Sequence, residues 1–241
     1  MKNPAITPPP LRLFNRSDIA KFQQSRIYDL LMRVPLLGYA AFFATLQMAG
    51  LARYAHEADA AIPFAVYVTG MAMRLSTIAF LLLLAAATIL RARPTGKARG
   101  IEPRISAVVG AFLVYAIPLF SRCELPVAAE MVSTLLILLG SSAAVIALLQ
   151  LGSSFSLMAE ARRLVTSGPY RFVRHPLYLA EELAVIGIFM QFLSVWTALI
   201  LAVQIAFQLR RMHNEEIILA ETFPEYAAYK EITPRLVPRL Y

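Results

Sequence analysis

Residues 75–90 read LSTIAFLLLLAAATIL, sixteen positions without a charge, closed by Arg91. Extended back to Ile62, the apolar stretch exceeds the roughly 20 residues a membrane span needs. It then contains Arg74. At about 1.5 Å per residue, Arg74 lies roughly 24 Å from Leu90, near the far interface. There a long basic side chain can snorkel and avoid much of the cost of a central charge, about 2.5–3.5 kcal/mol. The rest of the chain has the same character. Of its 241 residues, 59% are hydrophobic and only 16% charged, against about a quarter charged in an average soluble domain. Five further stretches read as spans: 30–51, 105–120, 125–151, 177–193 and 195–209. The expected fold is all-α, a multi-pass integral membrane protein with about six transmembrane helices in one domain, 1–241. It divides into an N-terminal segment 1–29, four spans over 30–151, and a part 152–241 with two spans and a C-terminal helix.

The net charge of +8 is placed unevenly. Lys21 and Arg26 precede the first span. The loop 91–104 carries Arg91, Arg93, Lys97, Arg99 and Arg104. The loop before the fifth span carries Arg162, Arg163, Arg171 and Arg174, and the tail Arg210, Arg211, Lys230, Arg235 and Arg239. The other loops hold only Arg53 and Arg122. Basic loops stay on the cytoplasmic side, so the alternation fits six spans with both termini cytoplasmic. The basic excess serves topology, and no nucleic-acid partner is expected. A lone Cys123 excludes an intrachain disulfide. The absence of a CxxC or Cys/His cluster argues against a metal site. The N-terminus lacks the apolar run of a signal peptide. Its prolines suggest an irregular start, followed by a short helix capped at Ser17–Asp18.

Polar chemistry concentrates in ARRLVTSGPYRFVRHPLYLAEE, residues 161–182. Thr166–Ser167–Gly168–Pro169 is a turn signal. Proline suits the first helical turn, so the fifth span should open at Pro176 with His175 as its cap. Free N–H groups at such a start attract a carboxylate or phosphate. Tyr178, Glu181 and Glu182 follow, and two carboxylates this early in a span must face protein, water or ligand rather than lipid. The bland alternative assigns Arg171 and Arg174 to lipid headgroups and leaves His175 as a mere cap.

A second cluster, RRMHNEEIILAETFPEYAAYK, covers 210–230. Arg211 and Glu215 share a helix face, and Glu215–Glu216 juxtaposes two carboxylates that need a nearby cation. His213 reads as an interfacial polar residue, and Phe223, Tyr226 and Tyr229 as a ligand cover or an aromatic belt. Of the charges inside spans, Arg33, Arg74 and Glu130, the last two are expected to pair.

On LVTSGPYRFVRHPLY (164–178), RMHNEEIILAETFPEYAAYK (211–230) and the ending PRLVPRL, the chain resembles the isoprenylcysteine carboxyl methyltransferase family and its wider group of small membrane methyltransferases. The likeness covers about the last 90 residues. It implies a methyltransferase-like part at 152–241 that binds S-adenosyl-L-methionine at the cytoplasmic face. By position, the resemblance assigns the cofactor to Arg162, Arg163, Leu164, Val165, Tyr170, His175, Pro176, Leu177, Tyr178 and Glu215. It makes Arg211 the catalytic residue, holding the attacking carboxylate. Glu181, Glu182 and Glu216 stand as substrate-side candidates, and as bases for an amine or thiol acceptor. The sequence departs from relatives at Arg162, where one has His, and at Ala180, where many have Gly.

The acceptor implied is lipophilic and enters from the membrane. A prenylated cysteine carboxylate is the first expectation, with a phospholipid amine or small thiol as alternatives. Membrane lipids are the other partners. The compartment would be a bacterial inner membrane or the endoplasmic reticulum. Readings from other classes are an NADPH-dependent enzyme resembling the sterol reductases and a non-catalytic lipid-binding protein.

Overall fold

The computed structural model describes residues 26–56 and 63–237. The helix expected near Ser17 lies outside them. Lipid offers no hydrogen bonds to a backbone, so apolar spans satisfy their N–H and C=O groups internally, as helices. The elements are α1 (Arg26–His56), α2 (Phe64–Leu90), α3 (Glu102–Phe112), α4 (Val127–Leu151), α5 (Pro176–Met190), α6 (Val195–Thr222) and α7 (Tyr226–Ile232). A 3₁₀ segment, Leu113–Leu119, extends α3 toward the far end. Among the described residues the only strands are β1 (Gly96–Lys97) and β2 (Glu160–Ala161), paired antiparallel.

Among the described residues, four stretches are long and apolar enough to cross a membrane: Arg33–His56, Phe64–Leu90, Glu102–Leu119 and Val127–Ser154. They correspond to the first four expected spans. The fifth differs, because α5 has 15 residues, roughly 22 Å at 1.5 Å each, short of a hydrocarbon core of about 30 Å. It works as one arm of the expected hairpin. Ser194 opens α6 with a capping box, accepting from the Thr197 N–H while its own N–H donates to Thr197 Oγ1. The hairpin tip meets the link before α4. There the Cys123 N–H donates to the Gln191 carbonyl at 2.8 Å, and Gln191 Nε2 donates to Ser133 Oγ at 2.7 Å. The helix expected as a sixth span over 195–209 is not among these four; it continues unbroken to Thr222 and carries the Arg211–Glu216 motif beyond the apolar part.

Helices in lipid gain nothing from burying grease against grease, so close backbone approach has to come from small residues. A Cβ on Gly140 of α4 would lie 2.5 Å from the Ala184 amide nitrogen and 2.7 Å from the Ala180 carbonyl. One on Gly187 of α5 would lie 2.7 Å from the Ser133 carbonyl. These two glycines set the α4–α5 distance. Leu36, Leu84, Ala144, Leu148 and Leu177 then join α1, α2, α4 and α5 in one core.

The basic loops 91–104 and 152–175 and the tail gather at one end. The Thr95 and Ala98 N–H groups donate to the Ala161 and Ala159 carbonyls, and those of Arg174 and His175 to the Pro234 and Arg235 carbonyls. At the opposite end one expectation fails. Glu130 pairs with Arg122 at 2.8 Å, not with Arg74. The turn into α4 folds Arg122 back over the first helical turn, so Glu130 meets a nearer cation. Arg74 instead lies 4.1 Å from the centre of the Tyr54 ring and donates to the Gly70 carbonyl. Arg33 donates to the Ile89 carbonyl at 2.6 Å.

Candidate functional site

The loop between α4 and α5 turns at Gly168, whose φ of +60° favours glycine. The 3₁₀ turn Gly168–Arg171 follows and buries Tyr170. Tyr229 of α7 donates from Oη to the Tyr170 carbonyl at 2.5 Å, fastening the C-terminal helix over this turn. α5 opens as the sequence indicates, with His175 in the cap position and Pro176 first in the helix. The His175 side chain makes no capping bond, however. Its Nε2 lies 3.1 Å from Glu216 Oε1. Since the N–H groups of Arg174 and His175 serve the tail and proline has none, the anion-ready donors reduce to Leu177 and Tyr178.

Glu216 is the hub of a clamp. Arg174 Nε donates to it at 2.9 Å and Arg235 Nη2 at 2.6 Å, besides the His175 contact. Burial pushes its carboxyl up, but these three donors outweigh that and hold it well below the usual carboxylate range. Glu216 therefore ties α5, α6 and the tail together and lines neither cavity. Glu182 also lines neither; Oε1 accepts from Gln204 Nε2 at 2.7 Å.

Next to the clamp lies a polar pocket of about 770 Å³, its open mouth included. Arg162, Arg163, Leu164, Val165, Tyr170, His175, Leu177, Tyr178, Arg211 and Glu215 all line it, and of the residues assigned to the cofactor only Pro176 does not. The wall they share is tightly built. Arg211 sits 4.6 Å from the centre of the Tyr178 ring, with its Nε 3.5 Å from Glu215 Oε1. Tyr178 Oη donates to Glu215 Oε1, and the Tyr178 ring stacks on His175 with centroids 5.4 Å apart. Burial raises the Glu215 carboxyl despite Arg211 and His175, so its charge is costly here and a cationic ligand would relieve it. Burial works against the Arg211 charge, but Tyr178, Glu215 and Glu181 outweigh it, so the guanidinium stays charged. Arg162 pairs with Glu160 at 2.5 Å, its side chain fully buried.

A second, largely apolar cavity of about 1180 Å³, mouth included, lies within the helices. Leu36, Phe80, Leu84, Val114 and Ile137 are among its walls, and Glu181, Gln204 and Gln208 bring polarity to one side. Glu181 thus faces protein, as an early-span carboxylate must, and accepts from Gln208 Nε2 at 3.3 Å. Arg211 and Phe155 line both cavities, so the guanidinium stands where the polar pocket meets the apolar one.

Sequence reasoning missed Phe155, Met158 and Glu160, which come from the loop after α4 and carry no motif. The aromatic triplet separates. Tyr226 and Tyr229 line the polar pocket, whereas Phe223 packs on Ala159, Ala161 and Ile218. His213 is exposed, as an interfacial residue would be.

The fold defines a helical membrane protein with a polar pocket at its basic end. More particularly, residues 132–221 match the model of the Isoprenylcysteine carboxyl methyltransferase (ICMT) family, which supports the resemblance carried by the two motifs. The chain is also similar to the cobalt-zinc-cadmium resistance protein CzcN of Cupriavidus metallidurans. The two are 40% identical over 78 residues, 32% of this chain and 36% of that protein. It is 35% identical to the nickel-cobalt-cadmium resistance protein NccN of Alcaligenes xylosoxydans over 82 residues, 34% of this chain and 38% of that one. The chain thus spans little more than a third of the length of these curated relatives.

Proposed function

We propose that the protein transfers a methyl group from S-adenosyl-L-methionine to a lipophilic acceptor that enters from the membrane. The observation that carries this reading is Arg211, shared between a polar pocket at the basic end and an apolar cavity among the helices. Two buried hydroxyls of residues that line the polar pocket, Ser154 Oγ and Tyr226 Oη, have no hydrogen-bond partner among the described residues. Such orphaned groups suit a ligand with its own polar atoms. Glu215 suits an ammonium, and Tyr170, Tyr226 and Tyr229 bring aromatic rings to the same pocket, which suit a cation. Leu177 and Tyr178 retain the free N–H groups that a carboxylate would take. These residues fit the cofactor, which when bound supplies an electrophilic methyl on a sulfonium.

Catalysis in this reading is positioning and exclusion of water. The Tyr178–Glu215–Arg211 unit fixes the boundary between the pockets. Phe155 and the apolar walls keep it dry. The family resemblance suggests a prenylated cysteine carboxylate, which Arg211 would orient through paired N–H groups. The relatives' names concern metal resistance. Among the described residues no three His, Cys, Asp or Glu stand together to hold a metal, and what the pockets support is methyl transfer. The basic end would face the cytoplasm of a bacterial inner membrane or the endoplasmic reticulum. Calorimetry separates the classes. The reading expects S-adenosylhomocysteine to bind and NADPH not to; NADPH binding would instead favour a reductase, and no binding of either a lipid-binding protein.

A further inference from the structure

On the basis of that reading, we propose that the far end of the apolar cavity is a second recognition point, where Gln47 hydrogen-bonds a hydroxyl carried on the acceptor's chain far from its reacting group. The acceptor class is a lipophilic molecule hydroxylated toward its distal end. Gln47 sits inside the apolar stretch Arg33–His56. An amide there is costly unless it is paired, and polar side chains within spans mark ligand sites.

Helix geometry fixes which way Gln47 faces. At 3.6 residues per turn it falls on the line of Leu36 and Ala40. These are 3% and 1% exposed, the most buried described side chains of α1, whereas Leu46 and Met48 to either side of Gln47 are exposed. Gln47 stays half-exposed on this inner face because the space before it is the cavity, which it lines together with Leu36, Tyr39 and Phe43. Among the described residues its amide has no hydrogen-bond partner. The other polar groups of the wall are engaged. Thr77 and Ser141 donate to the Met73 and Ile137 carbonyls of their own helices, and the Tyr39 and Tyr115 hydroxyls pair with each other. Gln204 and Gln208 donate to the Gly110 carbonyl and to Glu181.

The position of Gln47 along the cavity sets where the hydroxyl belongs. Leu36 shares a core with Phe155, which lines both cavities as Arg211 does, so Leu36 marks the reacting end. Gln47 lies three turns further along α1, roughly 16 Å at 1.5 Å per residue. Arg33 meets the Ile89 carbonyl and Tyr54 the Val66 carbonyl, so antiparallel α1 and α2 bring Gln47 level with the turn that Thr77 closes onto Met73. A hydroxyl suits this place. It accepts the Gln47 N–H and brings a proton for the lone pairs that Thr77 retains. A carbonyl could only accept, and a plain hydrocarbon would leave the amide stranded.

The test uses the purified full chain in detergent with dodecanoate, 12-hydroxydodecanoate and 2-hydroxydodecanoate as probes. Each carboxylate is drawn to Arg211 at the boundary, whose Nε makes no hydrogen bond among the described residues. The two hydroxy acids are isomers that differ only in where the hydroxyl sits. Apparent affinities are read from the rise of Tm with probe concentration, with no cofactor present. The proposal expects 12-hydroxydodecanoate to bind about tenfold tighter than the other two, the scale of pairing a stranded amide. Gln47→Leu and Gln47→Met replace the amide with apolar groups of similar size. Both should bind dodecanoate at least as tightly as the wild type and lose the preference. Equal affinity of the three probes for the wild type overturns the proposal and leaves Gln47 to water. So does a preference that survives in either variant, or an absence of any binding. S-adenosylhomocysteine binding is measured on the same preparations and should be unchanged in both variants. Its absence in the wild type, with the hydroxyl preference intact, would sink the methyltransferase reading and not this site.

Discussion

Glu216 shows how a residue that looks catalytic in sequence becomes structural in space. Paired carboxylates demanded a cation, and the structure supplies Arg174, His175 and Arg235, two of them from the α5 entry and one from the tail. The i,i+4 spacing made the Arg211–Glu215 contact readable. No local rule reaches from position 216 to 174 or 235, so the clamp was not readable. The same limit hid Arg122–Glu130, which depends on how a loop folds back. Because the Glu216 carboxyl is held below its ordinary range, its contribution to stability is complete above about pH 4.3 and is lost as pH falls from there toward its depressed value. Glu216→Gln strands the buried cations and should cost about 3–5 kcal/mol at pH 7. Thermal unfolding at pH 7 and pH 3.5 checks this: the gap between wild type and variant should narrow on acidification, and an equal gap would remove Glu216 as the hub.

At the scale of elements, hydropathy and proline placement located the start of every long helix within a few residues, but not the end of α6, which runs 13 residues past its apolar part. The α5 start at Pro176 and the basic end that gathers the loops also followed from sequence. What periodicity did not reveal is which helices touch, because in an apolar span every face looks alike. Gly140 and Gly187 decide that, by letting α4 and α5 approach to backbone distance. Their spacing in turn positions Tyr178 and Glu181, which sit on α5. Gly140→Leu has backbone, not flexible side chain, as its nearest neighbours, so relief requires the helices to separate. The expected cost is about 1–3 kcal/mol, seen as a lowered Tm together with weaker S-adenosylhomocysteine binding. A variant with wild-type Tm would show that the α4–α5 distance is not set there.

For the whole molecule, the candidate site was half readable. The polar pocket follows from two motifs, and almost all the residues assigned to it converge. The apolar cavity does not follow from any motif, because its walls are ordinary span residues contributed by α1 through α6. Orientation is a molecular-scale consequence of the charged end. Thr166 is exposed beside the polar pocket, while Cys123 lies at the hairpin tip on the opposite side. In a Cys123→Ser background, Thr166→Cys should react with an impermeant thiol reagent in inside-out vesicles and not in right-side-out ones. Reversed labelling would place the site on the other face. The central claim, that the polar pocket is a cofactor bed held by Glu215, is tested most directly by calorimetric titration of S-adenosylhomocysteine into the full chain and its Glu215→Gln variant. Binding of one molecule per chain, weakened at least tenfold by the substitution, is the predicted result; no binding, or equal affinity in the two proteins, would contradict it.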